Sequence, residues 1–389
     1  MRLGFWLAAF GIFILTPGIA RADPLSRPSI DAPELARLGP YAVGLRSVVL
    51  VDSSARPGRT LPVDIWYPAT ARGKAVIYTD TLSGEPPRGP VAFTVEGLAF
   101  LGAPAVHGAF PLVIVSHGYS GDPAAMTWLS ENLASKGYVV AAIHHHDPDY
   151  SDTVNRDIPA RRRPSDIAFV AKALQAQAST GVLANTDPTR VALVGYSMGG
   201  YGVVAVAGAP VGELTVPGLR AVVAIAPAGS AEALGRLSTP LMIIAGDRDH
   251  VVGYADGPRK IYERAVHADR YLLVFQNGGH NIGMNGAPAA MRGQLWDQDW
   301  FEDPVWSKAR TAGIQQHMIT AFLDRYVKGD TGRDAYLTPD TAISNDTAWP
   351  EAGGKAYSAI SPGGPGATWK GFAKNHAVGL ELHHAEPAS

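Results

Sequence analysis

The feature that most constrains this chain is a series of short, unbroken apolar runs, "FPLVIVS", "YVVAAI", "RVALVGY", "RAVVAIA", "LMIIAG" and "RYLLVF", set between longer segments of helical spacing. A strand with one wet face alternates apolar and polar residues, whereas a run that is apolar throughout is buried on both faces. The helical segments between them are "AAMTWLSENLASKG", "RPSDIAFVAKALQAQA" and "MGGYGVVAVAGA", with an amphipathic "ARTAGIQQHMITAFLDRYV" closing the series. Strands alternating with helices predict an α/β fold, a mostly parallel central sheet with helices on both faces. Upstream, "VGLRSVVLVD" and "LPVDIWYPA" flank the turn residues "SSARPGR" and predict an antiparallel N-terminal strand pair. Pro164 is expected near the entry of the second helix, with Ser165 or Asp166 as its cap.

In such sheets ligands sit at the carboxyl ends of the strands. Four of the runs end there in residues able to do chemistry: His117-Gly118-Tyr119, Ser197, Asp247 with Asp249, and His280. Ser197 stands in Gly195-Tyr196-Ser197-Met198-Gly199, a G-x-S-x-G spacing between a strand and a helix. The two glycines let strand and helix approach closely, which forces the serine into a tight turn with its hydroxyl exposed. That hydroxyl is a weak nucleophile until a base takes its proton, and the base needs an acid to orient it. His280, on a Gly-rich turn after a strand, supplies the base. Asp249 fits the spacing G-x-x-D-x-x-V as the acid, and Asp247 stays open as the alternative, being equally suited to brace a turn. The backbone N–H groups of Tyr119 and Met198 occupy the places from which an oxyanion would be bound. Tyr119, Tyr196, Trp296 and Trp300 are the candidate substrate contacts; Trp306 in the same segment reads equally as a cap on the site or as core.

Bulk properties narrow the partner. Lys plus Arg number 33 against 35 Asp plus Glu, a formal charge of -2, so nothing points to nucleic acid or a polyanion. A small, near-neutral substrate is expected, with no cofactor and no metal. Arg161, Arg162 and Arg163, between Asp157 and Asp166, read as a solvated loop with local ion pairs. "HHHDPD", His144 to Asp149, raises a metal-dependent hydrolase as a rival reading, because His-x-His with Asp is a zinc-binding set. The preferred reading places it at the rim of the site. An amidase or peptidase on the same Ser, His and Asp is the nearer rival.

Arg2, an apolar stretch from Leu3 to Leu15 and the small-x-small sequence Ala20-Arg21-Ala22 predict a signal peptide over 1–22. The run falls short of the ~20 residues a spanning helix needs. Export to periplasm or medium follows, although no cysteine is present to form a disulfide. Residues 23–389 are expected to form a single domain with a Gly/Pro-rich C-terminal extension, anchored by Trp369 and Phe372.

Taken together, "PLVIVSHGYSG", "ENLASKGYVVAAIHHHD", "RPSDIAFVAKAL", "GYSMGG" and "GGHN" resemble the α/β-hydrolases grouped as predicted dienelactone hydrolases and platelet-activating-factor-acetylhydrolase-like esterases. "HGYSG" and "GYSMGG" are also similar to bacterial cutinase-type polyester hydrolases. The resemblance runs from about Val43 to Val327 and implies a cofactor-free serine hydrolase of carboxylic esters. It further implies Ser197, Asp249 and His280 as triad, and Tyr119 and Met198 as oxyanion donors. Dienelactone hydrolases use a cysteine nucleophile, which this chain lacks, and Ala228 and Gly229 stand where polyester hydrolases carry a stacking Trp. Esters of short or medium acyl groups are the expected substrates.

Overall fold

The computed structural model describes residues 31–388 apart from 32, 56–57, 71–72, 83–89, 149–151, 153, 210–211, 213, 228–233, 289–290, 292–300, 340, 345–368 and 373–376. The leader expected at 1–22 lies outside the described residues.

The apolar runs become the centre of an eleven-stranded sheet in the order β11-β10-β9-β8-β7-β5-β6-β2-β1-β4-β3. The strands are β1 (Ala42–Asp52), β2 (Arg59–Ala69), β3 (Ala75–Leu82), β4 (Val91–Leu101), β5 (Phe110–Ser116), β6 (Val139–Ile143), β7 (Thr186–Tyr196), β8 (Leu219–Ile225), β9 (Leu241–Gly246), β10 (Arg270–Phe275) and β11 (Leu380–Ala385). From β6 through β5, β7, β8 and β9 to β10 every pairing is parallel. Every residue of β6 and β9 is buried, as an all-apolar strand between two helical layers must be. The N-terminal pair forms as expected, antiparallel from Ala42 opposite Ala69 to Asp52 opposite Arg59.

One apolar layer packs under α1 (Thr127–Ser135) and the long closing helix. The other packs under α2 (Asp157–Ala176), α3 (Met198–Gly208) and α4 (Lys260–Arg264). The closing helix, α5 (Lys308–Tyr326), buries thirteen of its residues.

Three features depart from the sequence reading. The hairpin β3–β4 extends the sheet beyond β1, pinned to α1 through Glu131, whose buried carboxylate accepts from Tyr78 Oη at 2.7 Å and from the Leu98 and Ala99 N–H groups at 2.8 and 2.9 Å. Helix α2 starts at Asp157 and holds Pro164 within it, so Ser165 and Asp166 are interior residues. Ser165 Oγ donates back to the Arg162 carbonyl and Asp166 pairs with Arg59 at 2.7 Å, so neither caps the helix. The cost of an interior proline, about 3 kcal/mol, is offset by an inward face of Arg163, Ile167, Val170 and Leu174, all buried. Finally, the C-terminal segment supplies an antiparallel edge strand, β11, along β10. Trp369 is buried and Phe372 packs against it at a ring separation of 6.0 Å.

Candidate active site

Strand β7 ends at Tyr196 and α3 begins at Met198, which leaves Ser197 alone in the connecting turn at φ 53°, ψ -117°. A non-glycine residue in that region is strained and persists only where its surroundings over-determine it. Here they do. A β-carbon on Gly195 would lie 2.2 Å from the Gly199 carbonyl oxygen, and one on Gly199 would lie 2.0 Å from that of Ser116. Only glycine at both positions lets the helix turn so close to the sheet, and Ser197 N–H donating to Ile225 O at 2.8 Å ties the turn to β8.

Ser197 Oγ lies 2.9 Å from His280 Nε2, and His280 Nδ1 lies 2.7 Å from Asp249 Oδ2. Asp249 follows β9 and His280 follows β10, neighbouring parallel strands whose carboxyl ends bring the two loops together. The second Asp249 oxygen accepts the N–H groups of Val251 and Val252 at 2.9 and 3.0 Å. Burial alone would raise this carboxyl, but the His280 bond and charge and those two N–H donors outweigh it and hold the group below the usual carboxylate range. A carboxylate on Nδ1 fixes the proton there and leaves the Nε2 lone pair facing the serine hydroxyl. Asp247, the open alternative, instead accepts the Asn277 N–H at 2.6 Å and braces the turn before His280.

The serine opens into a cavity of about 450 Å³, within the size range of small-molecule sites. Tyr119, Tyr196 and Met198 line it, together with Phe93, Met284, Val251 and Phe301; Asp80 and Arg156 add charge. Tyr196 lies against the base, with ring centroids 5.3 Å apart and its hydroxyl donating to the His280 carbonyl at 3.2 Å. Tyr119 Oη donates to the Asp152 carbonyl at 3.0 Å beneath the Arg156 guanidinium. Trp296 and Trp300 lie outside the described residues, as do Ala228 and Gly229. Trp306 is core rather than cap: it is buried edge-on against Phe275 at 4.9 Å, with its indole N–H on Gln276 O.

The histidine run is not at the rim of this cavity. His144 bridges Asp122 at 2.9 Å and Asp64 at 3.0 Å, buried His145 meets Ser116 Oγ at 2.9 Å, and His146 faces the Thr60 carbonyl. The three rings thus take separate partners, and among the described residues no group of three His, Cys, Asp or Glu side chains is placed to hold a metal ion. Arg163 also corrects the sequence reading: far from a solvated loop, it is 1% exposed and pairs with Asp147 at 2.5 Å. Its signal was present in the spacing to Ile167, Val170 and Leu174, one face of a helix, and was overridden by its charge. Phe93 and Asp80 come from the hairpin β3–β4, which no periodicity announced.

A family model described as PETase, PET hydrolase-like, matches residues 70–348. Among curated relatives, Cutinase est1 of Thermobifida alba is 26% identical over 204 residues, 49% of this chain and 64% of that protein. Bis(hydroxyethyl) terephthalate hydrolase of Streptomyces coelicolor is 25% identical over 175 residues, 44% of this chain and 51% of its own length. The chain thus spans roughly half to two thirds of the length of these relatives. A solved structure of a ferulic acid esterase from Streptomyces cinnamoneus superposes with a TM-score of 0.55 at 21% identity, covering 74% of this chain and 91% of the other. That likeness is one of fold, the α/β-hydrolase sheet. Among the described residues no helix is long and apolar enough to cross a membrane.

Proposed function

The chain belongs to the PET hydrolase-like family, and from that premise we propose that it is a serine hydrolase of carboxylic esters, small or presented by a polymer, with Ser197 as nucleophile. The observation that carries the reading is the hydrogen-bonded sequence Ser197–His280–Asp249, with Ser197 and His280 lining a mostly apolar cavity.

In the mechanism, Ser197 Oγ attacks the ester carbonyl while its proton passes to His280 Nε2. The imidazolium so formed is stabilised by ionised Asp249 across the Nδ1 bond. The Tyr119 and Met198 N–H groups receive the charge that develops on the carbonyl oxygen. Collapse of the tetrahedral intermediate expels the alcohol, which takes its proton from His280, and an acyl group remains on Ser197. Water, deprotonated by His280, then attacks the acyl-enzyme, and collapse of this second intermediate breaks the bond to Ser197 Oγ, which takes the proton back from His280 as the acid leaves. Phe93, Phe301, Met284 and Val251 form the apolar walls that receive a short or medium acyl group, with Tyr196 against the base. The Arg2-led apolar run ending at Ala20-Arg21-Ala22 supports a cleaved leader and export. The unbroken sheet supports a single catalytic domain.

The test is a panel of esters graded in acyl length, run with a fluorophosphonate probe and mass mapping of the labelled peptide. Ser197→Ala is expected to fold, to lose labelling and to lose activity by up to about 10⁶-fold, the scale of nucleophile removal in serine proteases. Near-normal turnover in that variant would refute the assignment.

A further inference from the structure

We propose that Arg163 and Asp147 are positioning residues that hold the Gly118–Tyr119 peptide, and with it the Tyr119 N–H, in register with the nucleophile turn. The proposal rests on the ester-hydrolase reading above and names how its oxyanion loop is built.

Three consecutive peptides of that loop are each held from behind. The carbonyl of the His117–Gly118 peptide accepts from Arg163 Nη1 at 3.2 Å. The N–H of the Tyr119–Ser120 peptide donates to Asp147 Oδ2 at 3.0 Å. Arg163 Nη2 donates to that same Asp147 oxygen at 2.5 Å, so the two outer restraints are a single ion pair. Between them, the Gly118 carbonyl faces His117 Nδ1 at 2.6 Å. His117 Nε2 accepts the His145 N–H at 3.2 Å, which leaves Nδ1 as the protonated nitrogen and makes it the donor to Gly118. In a trans peptide the C=O and N–H point in opposite directions. Drawing the Gly118 carbonyl toward the His117 ring therefore turns the Tyr119 N–H away from it.

The same guanidinium reaches the nucleophile turn. Arg163 Nη2 lies 3.5 Å from Met198 Sδ. The stem of Arg163 fills the space over α3 beside Gly202, where a β-carbon would sit 2.7 Å from its Cγ. One buried side chain thus touches both segments that carry the oxyanion donors. Ser120 at φ 55° shows that the loop is held in a conformation an unrestrained serine avoids. A buried ion pair gains little stability over apolar packing of equal volume. What it provides here is a fixed distance between two loops.

The experiment uses the full chain with Arg163→Lys and Asp147→Asn. Lysine keeps the charge but offers a compact ammonium where the guanidinium reaches two acceptors at fixed separation. Removing one oxyanion donor outright costs about 10²–10³ in kcat, so misaiming it is expected to cost about 10- to 100-fold. KM for a p-nitrophenyl ester should stay within about twofold, since ground-state binding does not use the donor. A trifluoromethyl ketone, which forms a tetrahedral adduct on Ser197, should weaken by the same factor as kcat/KM, a parallel that general loosening of the fold would not produce. Thermal melts identify any variant that fails to fold, and Asp147→Asn, nearly identical in volume, carries the test if Arg163→Lys does. Wild-type kcat in a folded variant, a loss confined to KM, or unchanged ketone affinity beside a fallen kcat would overturn the proposal. If the wild-type chain neither turns over esters nor labels at Ser197, the ester-hydrolase reading fails and takes this one with it.

Discussion

Protonating His317 should release the contact that ties the Leu35 and Lys370 segments to α5. This buried imidazole on α5 accepts the Leu35 N–H at Nδ1, 3.0 Å away, and faces the Lys370 carbonyl through Nε2 at 3.3 Å. Tyr336 and Phe372 enclose the ring edge-on at 5.4 and 4.9 Å. A second proton would sit on Nδ1, pointed at the Leu35 donor. Burial, reinforced by the charges of Lys136 and Arg333 against the Lys370 carbonyl, lowers this histidine from 6.5 to about 3. The unfolded chain therefore takes up the proton first. The stability His317 contributes is fully present above pH 6.5 and is lost as pH falls from there toward about 3. The slope starts at half its full value at pH 6.5, where the unfolded imidazole is half protonated, and reaches about 1.4 kcal/mol per pH unit below that, so acidification to about pH 4.5 removes about 2 kcal/mol through this residue alone. That is a large share of the roughly 5–15 kcal/mol that keeps a typical domain folded. Urea unfolding across this range, on wild type and His317→Asn, tests the argument. Asparagine retains an acceptor for Leu35 but cannot bind the proton. The variant should start less stable near neutrality, and its stability should then fall less steeply by about 1.4 kcal/mol per pH unit. His117, lowered to about 4 by burial and by Arg163, and the buried His145 titrate equally in both proteins and drop out of the comparison. Parallel pH profiles would refute the reasoning.

Two further outcomes are expected. Asp80 lines the cavity, and burial together with the charge of Asp122 raises it to about 6, so it is neutral below that pH and ionised above. The preference for a neutral ester over a matched anionic one should therefore grow as pH rises through about 6, and Asp80→Asn should flatten the ratio of the two kcat/KM values; identical ratios in both proteins would count against it. Tyr78→Phe removes the acceptor of the Trp66 indole N–H, 2.8 Å away, and a donor to Glu131. Leaving such buried groups unpaired costs about 1–3 kcal/mol, and an unchanged urea midpoint would show that the network is dispensable.

The sheet's parallel core was legible because a strand buried on both faces has no choice but to be apolar, and the turn at Ser197 because only glycines fit on either side of it. The hairpin β3–β4 was not. "VAFTVEGLAFL" exposes Thr94 and interrupts its alternation at Gly97, so its partners, not its own pattern, determine that it is a strand. Strand β11, "LELHHA", is short and half polar, as an edge strand over one solvated face is free to be. Asp249 and Asp247 lie two residues apart with equal chemistry, and only the path of the loop after β9 separates a residue that meets His280 from one that meets Asn277. The burial of Arg163 was not legible because a charge in sequence suggests water, whereas its partner Asp147 lies outside the helix, in the loop after β6.

The edge strand β11 has a consequence for biosynthesis. The nucleophile's half of the sheet is translated long before the residues that cover β10, the strand leading to the imidazole. Until Leu380–Ala385 have been made, a nascent chain exposes β10 as an open, hydrogen-bond-hungry border beside the loop that carries His280. Proteolytic removal of β11 should leave β10 an unpaired edge and bring on aggregation, read by light scattering, although the strand lies four positions along the sheet from the one that ends at the serine.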